Sequence, residues 1–174
     1  MSNALVALVV IALMLVAVLS WSHASINTFD SGAQSLQDSL ETAKEVSRTD
    51  IRVTSAQMQS SYVEVLVENC GKVHLAHFSK WDVLVQYYSG NSTYNISSLA
   101  YTDAASPGNN LWTLAHIYSD DSLTRQEAFE PWILNPGEVA LLRLRLEPQP
   151  ASGTTNRVTV CSSNGVVTSA QFDG

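Results

Sequence analysis

The chain has 174 residues, of which 14% are charged and 45% are hydrophobic, and its formal net charge is −7. A chain of this length can build one sizeable core, and its low charge is not typical of a disordered protein. The acidic balance excludes the basic stripe of a nucleic-acid-binding protein. The charges are unevenly distributed, because Asp30 is the first charged residue in the sequence.

The N-terminus is an apolar run. Residues 4–21 read ALVALVVIALMLVAVLSW and contain a single polar residue, Ser20. The run is close to the roughly 20 residues that a helix needs to cross a bilayer core. A cleaved signal peptide is an alternative, since Ser22-His23-Ala24 has small-x-small spacing. No basic residue precedes the run, however, and the run is longer than a usual signal-peptide core, so a permanent membrane anchor is the simpler interpretation.

The helix is predicted to continue beyond this run as an amphipathic segment. From Ile26, apolar residues recur every three or four positions, which places them on one helix face. We therefore predict one helix from about residue 2 to residue 48, roughly 70 Å long. Residues 1–49 are assigned to it, with an apolar assembly or membrane half at 1–29 and an amphipathic half at 30–49. The residues predicted to pack the amphipathic half against the chain's own domain are Phe29, Leu36, Leu40 and Ala43.

After Asp50 the hydrophobic period changes from 3.6 to 2, which indicates β-strands. The Asn164-Gly165 pair is a typical hairpin turn, and Pro136-Gly137 is another turn signal. About eight short strands at this spacing predict an antiparallel Ig-like β-sandwich over residues 50–174, so the fold class is α+β. The predicted strands are Ile51–Thr54, Tyr62–Glu68, Trp81–Tyr88, Tyr94–Tyr101, Leu111–Tyr118, Glu138–Leu146, Arg157–Cys161 and Val166–Phe172.

Two cysteines, Cys70 and Cys161, lie at predicted strand ends. In an extracellular domain they could form a disulfide that joins the two sheets or an early and a late strand. Closing a loop of this length would stabilise the fold by about 4–5 kcal/mol. The alternative is two unrelated buried thiols. The sequence has no C-x-x-C motif, so a zinc site is not predicted.

Two Asn-x-Ser/Thr sequons stand close together at Asn91 and Asn95. Such sequons are accepted as glycosylation sites when they lie on the surface of an exported protein. Asn91 is the better candidate because it falls in a predicted turn. A chance occurrence of either sequon is the alternative.

No pattern in the sequence indicates catalysis. There is no G-x-S-x-G elbow, phosphate-binding glycine loop or H-E-x-x-H motif, and no cofactor or metal is predicted. Asp120-Asp121 is more simply a solvated acidic turn than a cation site. The tryptophans Trp81, Trp112 and Trp132 are most simply core or interface residues, whereas Trp21 could also be an interfacial anchor.

The order of these elements resembles the type IV pilin-like superfamily, and within it the archaeal flagellins, or archaellins. The matching segments are a strand followed by Asn-x-Gly, a strand with an Asp-Val pair, a Pro-Gly-Glu turn and a final hairpin. In this sequence they are residues 63–71, 78–85, 132–138 and 163–166. Leu5 departs from the bacterial pilins, which carry Glu at that mature position. No leader ending in a basic residue and Gly precedes the apolar run, and the cysteine pair is not a general archaellin feature.

The resemblance implies a structural subunit of an extracellular, archaellum-like motility filament. Its partners would be many copies of itself, the membrane before assembly, a prepilin-type peptidase, a motor ATPase and a platform protein. The apolar helices would bundle into the filament core, and the sandwiches would form the outer sheath. The predicted packing seam, with residues three or four apart, consists of Leu5, Leu8, Val9, Ala12, Leu15, Val16 and Leu19.

Three other interpretations stay open at this point. Some archaellum accessory proteins share the layout of one N-terminal helix and a similar sandwich, and they act as membrane-anchored stators that hold the outer envelope. A type IV adhesion pilin has the same layout. A secreted or anchored enzyme or carbohydrate-binding sandwich belongs to a different class, and it would be supported by exposed aromatic residues or by acidic residues converging in a cleft.

Overall fold

A computed structural model describes the backbone of residues 2–90 and 92–174, and it describes side chains outside positions 2, 4 and 22–31. Contacts divide the chain into two compact units, residues 1–43 and 44–174. The single α-helix of the described part, α1, is Ser2–Arg48. It contains no proline, and Gly32 is its one glycine, the residue type that weakens a helix most after proline. Within the described residues, no helix meets the length and apolarity required to cross a membrane.

The second unit contains eight β-strands and one short 3-10 helix, Phe78–Lys80. The strands are β1 Ile51–Gln59, β2 Tyr62–Asn69, β3 Asp82–Tyr88, β4 Tyr94–Tyr101, β5 Leu111–Tyr118, β6 Val139–Arg145, β7 Thr155–Cys161 and β8 Val167–Asp173. The prediction of about eight strands in an Ig-like sandwich is thus confirmed, except that the pairing is not antiparallel throughout, since β4 and β5 run parallel. Strand β1 continues five residues beyond its predicted end at Thr54, because a bulge between Val53 and Ser55 interrupts the alternation of the sequence.

The strands follow the order β1-β2-β6-β5-β4-β3-β7-β8. All neighbours are antiparallel except β4 and β5, which run parallel and pair at Ala100 with Leu111 and at Tyr101 with Trp112. Strand β4 therefore joins a first sheet, β1-β2-β6-β5, to a second, β4-β3-β7-β8. The outer strands β1 and β8 also approach each other, since the Val53 amide donates a hydrogen bond to Thr168 Oγ1 at 3.2 Å.

The core lies between the two sheets, because alternate residues of each strand point inward. Strand β2 shows the pattern clearly: its valines are fully buried, whereas the residues between them are half-buried. Deleting a buried side chain of this size typically costs about 2–5 kcal/mol. The largest fully buried residues are Trp112, Tyr87, Leu134, Leu142, Leu144, Val63, Val65, Val67, Val83, Val85, Val139 and Val158.

The topology defines two ends of the sandwich. At the proximal end, where α1 leads into β1, lie the loops 70–81, 119–138 and 162–166. At the distal end lie the turns 60–61 and 108–110, the residues 89–90 and 92–93, and the segment 146–154. The proximal end receives the end of the helix, so the junction between helix and sandwich lies there.

Candidate functional site: the proximal end of the sandwich

The last turn of α1 is hydrogen-bonded to the proximal loops. The Thr49 hydroxyl donates to the Glu45 carbonyl at 2.9 Å, and the Asn164 side-chain amide donates to the same hydroxyl oxygen. On the opposite side, the Lys72 amide donates to the Arg48 carbonyl at 2.8 Å. Carbonyls at a helix C-terminus lack intrahelical partners, so this bond satisfies one of them. The last helical turn is therefore fixed by two separate loops.

Asn69 connects these loops to the segment before β6. Its buried side-chain amide donates to the carbonyls of Val73 at 2.8 Å and Leu134 at 2.9 Å. Its Oδ1 accepts a hydrogen bond from the Gly71 amide at 3.0 Å. Its backbone is also paired, with the Glu138 carbonyl and the Gly137 amide. A buried asparagine with these partners is satisfied and rigid.

Position 71 requires glycine because the backbone at the end of the helix lies directly against it. A Cβ atom at this position would lie 2.6 Å from the Asp50 nitrogen and 2.7 Å from the Arg48 oxygen. Both are backbone atoms, which cannot move aside as a flexible side chain can. We call Thr49, Asn69, Gly71, Lys72 and Asn164 the junction clamp. Asn69 and Gly71 belong to the Asn-x-Gly motif of the sequence, and Asn164 belongs to the final hairpin. The sequence alone did not indicate that these residues contact the helix end.

The predicted disulfide is absent. Cys70 and Cys161 are both free and half-buried. Cys70 follows β2 of the first sheet, whereas Cys161 ends β7 of the second sheet and pairs with Asp82 and Val167. Burial raises the pKa of both thiols, and the nearby Glu68 carboxylate raises the pKa of Cys70 further. The structure thus does not support a disulfide between these two cysteines.

The second sequon begins at Asn95, the second residue of β4, near the distal end of the sandwich. Asn91 lies outside the described residues. Asn95 is half-buried, and its side-chain amide donates to the Thr93 carbonyl at 2.8 Å. Glycosylation at either position stays a prediction.

The apolar residues of α1 are exposed in the isolated chain. The whole predicted packing seam is exposed, and the large apolar side chains around it are too. Leu36, Leu40 and Ala43 of the amphipathic half are exposed as well, and the Phe29 side chain lies outside the described ones. Packing of these residues, among helices or on the sandwich, stays a prediction.

One feature of the proximal end has no counterpart in the sequence analysis. Trp81 and Trp112 are buried, as expected for core residues, but Trp132 is 56% exposed. It lines a groove of about 590 Å³ together with residues of loop 70–81 and the end of β4. In the described part of the chain, no three His, Cys, Asp or Glu residues are grouped so that they could hold a metal ion.

Comparison with known proteins identifies the family. Residues 47–171 match the family model described as conserved flagellar protein F, immunoglobulin-like domain. The chain belongs to this family. The match begins in the last turn of α1 and includes the whole junction clamp. The archaellum relationship expected from the sequence is thus confirmed, but the family is flagellar protein F, and membership among the archaellins is not shown. None of the curated proteins compared with the chain matches it.

A solved structure of an archaellum protein complex shares the fold, and two further archaellum structures match with lower scores. The archaellum periplasmic stator protein complex FlaF and FlaG from Sulfolobus acidocaldarius matches at 16% identity, with 70% of this chain and 87% of that chain covered and a TM-score of 0.50. FlaG from the same organism, an archaellum periplasmic stator protein, matches at 19% identity over 71% and 99% of the two chains, with a TM-score of 0.49. The archaeal flagellum of Methanospirillum hungatei strain JF1 matches at 16% identity over 95% and 88%, with a TM-score of 0.45.

Proposed function

We propose that this chain is a stator-type accessory protein of the archaellum, located in the cell envelope. Its family membership carries the proposal, because the match to conserved flagellar protein F covers the sandwich as far as residue 171, within β8. The role is structural, in keeping with a family of archaellum components. The accessory interpretation thus replaces the filament subunit as the principal reading of the sequence.

The junction clamp supports a load-bearing role. A stator has to resist force between the element that anchors it and the domain that contacts its partners. In this chain the last helical turn is fixed to the sandwich through the Arg48 carbonyl and the Thr49 hydroxyl, from two different loops. Each hydrogen bond contributes about 0.5–1.5 kcal/mol, and several in one network restrain the direction of the last turn.

The apolar segment of α1 is proposed to be the attachment element. Its large side chains between Leu5 and Leu19 are exposed on every side of the helix in the isolated chain. A helix that is apolar all round is stable only when lipid or other apolar helices surround it. Burying each side chain of this size contributes on the order of 1.5–3 kcal/mol. The segment therefore needs an apolar environment outside its own chain.

Fractionation of cells that make archaella separates this role from that of a filament subunit. Filaments are sheared from the cells, and the chain is quantified by mass spectrometry in the filament and envelope fractions. A stator stays with the envelope, and its deletion abolishes swimming while filaments still assemble. A major filament subunit would instead dominate the sheared fraction, and its deletion would abolish the filaments, which would contradict the proposal.

A further inference from the structure

The groove at the proximal end is built from three separate parts of the chain. Loop 70–81 and the segment before β6 are joined by paired backbone hydrogen bonds between Leu75 and Leu134, at 3.0 and 2.7 Å. The end of β4 supplies the third part. The Trp81 indole donates to the Ala76 carbonyl at 3.3 Å, which fixes the loop that forms one wall. The groove is thus preformed, as small-molecule sites usually are.

Two aromatic rings inside the groove are held in place by the core. Phe78 is buried and packs on Trp81 at a centroid distance of 4.9 Å. Tyr101 makes an edge-to-face contact with the buried Trp112, also at 4.9 Å. Trp132 differs from them, because more than half of its surface is open to solvent beside the groove. An exposed indole next to rigid aromatic rings offers a flat apolar surface to a ligand.

Polar groups stand around this apolar surface. The Asp103 carboxylate, the Ser79 hydroxyl and the His77 imidazole all line the groove and are exposed. Burial raises the pKa of Tyr101 to about 12, and the Asp103 carboxylate, which accepts a hydrogen bond from the phenol, adds to the effect. A single phenol can occupy only one oxygen of the carboxylate. One carboxylate oxygen is then free to accept hydrogen bonds from a ligand hydroxyl.

The polar lining of the groove suits a ligand with hydroxyl groups. Among the lining residues Asp103 is the acidic one, and Ser79 and Tyr101 carry hydroxyls. A cationic side chain on Trp132 would gain a cation–π contact and the attraction of Asp103, so the test below includes a cationic probe. A ligand with an apolar face and several hydroxyls fits all of these groups without a net charge.

We propose that this groove binds a neutral saccharide unit, with its ring stacked on Trp132 and its hydroxyls hydrogen-bonded to Asp103 and Ser79. Its size suits one or two sugar rings, since a volume of about 590 Å³ lies within the range of small-molecule sites. The groove is open, so the terminal unit of a longer glycan would be accommodated too. This inference does not depend on the stator role.

The test measures saccharide binding to the purified full-length chain in detergent. The probes are the methyl glycosides of glucose, mannose, galactose and N-acetylglucosamine, observed by saturation-transfer difference NMR. We expect at least one of them to bind saturably, with a Kd of about 1 mM, as is usual for a ligand of this size. Trp132→Ala should weaken that binding about tenfold or more, and Asp103→Asn, which keeps the shape of the side chain, should weaken it several-fold.

Phe129→Ala is the matched control. Phe129 lies in the same loop as Trp132 and is 92% exposed, but it does not line the groove. This variant should bind the same glycoside as well as the unaltered chain does. Thermal melting of all three variants verifies that they fold.

Three results would overturn the inference. They are no saturable binding of any glycoside at about 50 mM, undiminished binding by Trp132→Ala, or preferential binding of N-acetyl-arginine amide in the same groove. None of them bears on the stator role, because that role is tested by fractionation and swimming of cells.

Discussion

Gly71 lies against the carbonyl of Arg48, so close that a Cβ atom at position 71 would be 2.7 Å from that oxygen. We expect Gly71→Ala to destabilise the sandwich by about 1–3 kcal/mol, because overpacking against backbone forces a local shift. That corresponds to a decrease in Tm of several degrees for a domain of this size. Gly90→Ala is the control, since nothing lies within 4 Å of a Cβ at Gly90. Equal melting curves for the two variants, followed by near-UV circular dichroism, would contradict the steric argument.

A second prediction concerns the buried amide of Asn69. Asn69→Asp keeps the shape of the side chain but replaces the donor to Val73 and Leu134 with an oxygen that faces two carbonyls. Losing a buried donor in this way costs about 1–3 kcal/mol for each group left unpaired. Urea denaturation should show the loss in the transition midpoint. Asn95→Asp serves as the comparison, because its side-chain hydrogen bond is solvent-exposed and its midpoint should change little.

These two clamp residues show what could be predicted from the sequence. The period-2 alternation predicted the eight strands, because each strand buries one face. The clamp was not predicted, since the closeness of Gly71 and Asp50 depends on how β1 and β2 pair in space. The sequence left Trp132 open as a core or an interface residue for a related reason. Residue type does not choose between the two, and only the position of its loop leaves this ring at the surface.

The thiols give a third prediction, which tests whether Cys70 and Cys161 are free. Non-reducing mass spectrometry after alkylation in denaturant should find two free thiols in each chain, at Cys70 and Cys161. Cys161→Ser should then shift Tm only slightly. A structural disulfide would instead be worth about 4–5 kcal/mol for a loop of this length, so its removal would lower Tm by more than ten degrees. A decrease in Tm of that size, together with cysteines that resist alkylation, would show that the two thiols form a disulfide.

The pKa of Tyr101 gives a fourth prediction, about pH. Its folded pKa is raised to about 12 from the ordinary value of 10.0. Between these values the unfolded chain has lost this proton and the folded chain keeps it, so the contribution to stability is complete below pH 10 and declines as pH rises toward 12. Absorbance at the tyrosinate band should show a late step that Tyr101→Phe removes. Asp103→Asn should move that step to lower pH, and an unchanged step would rule out the carboxylate as a contributor.

The last prediction concerns the attachment element. Leu13 lies in the middle of the apolar segment and is 64% exposed in the isolated chain. We expect Leu13→Lys to leave the thermal melting of the sandwich unchanged, because Leu13 and the sandwich belong to different compact units. Placing a lysine at the centre of an apolar helix in lipid costs about 2.5–3.5 kcal/mol of insertion free energy. Burying its charge inside a bundle of apolar helices is unfavourable too, because the charge would have no partner there. The variant should therefore wash out of the envelope fraction at alkaline pH and fail to restore swimming to a deletion strain. Gln37→Lys, on the exposed amphipathic half, is the control. It should stay in the envelope fraction and restore swimming. If Leu13→Lys is retained and swims as well as Gln37→Lys does, the segment is not the attachment element.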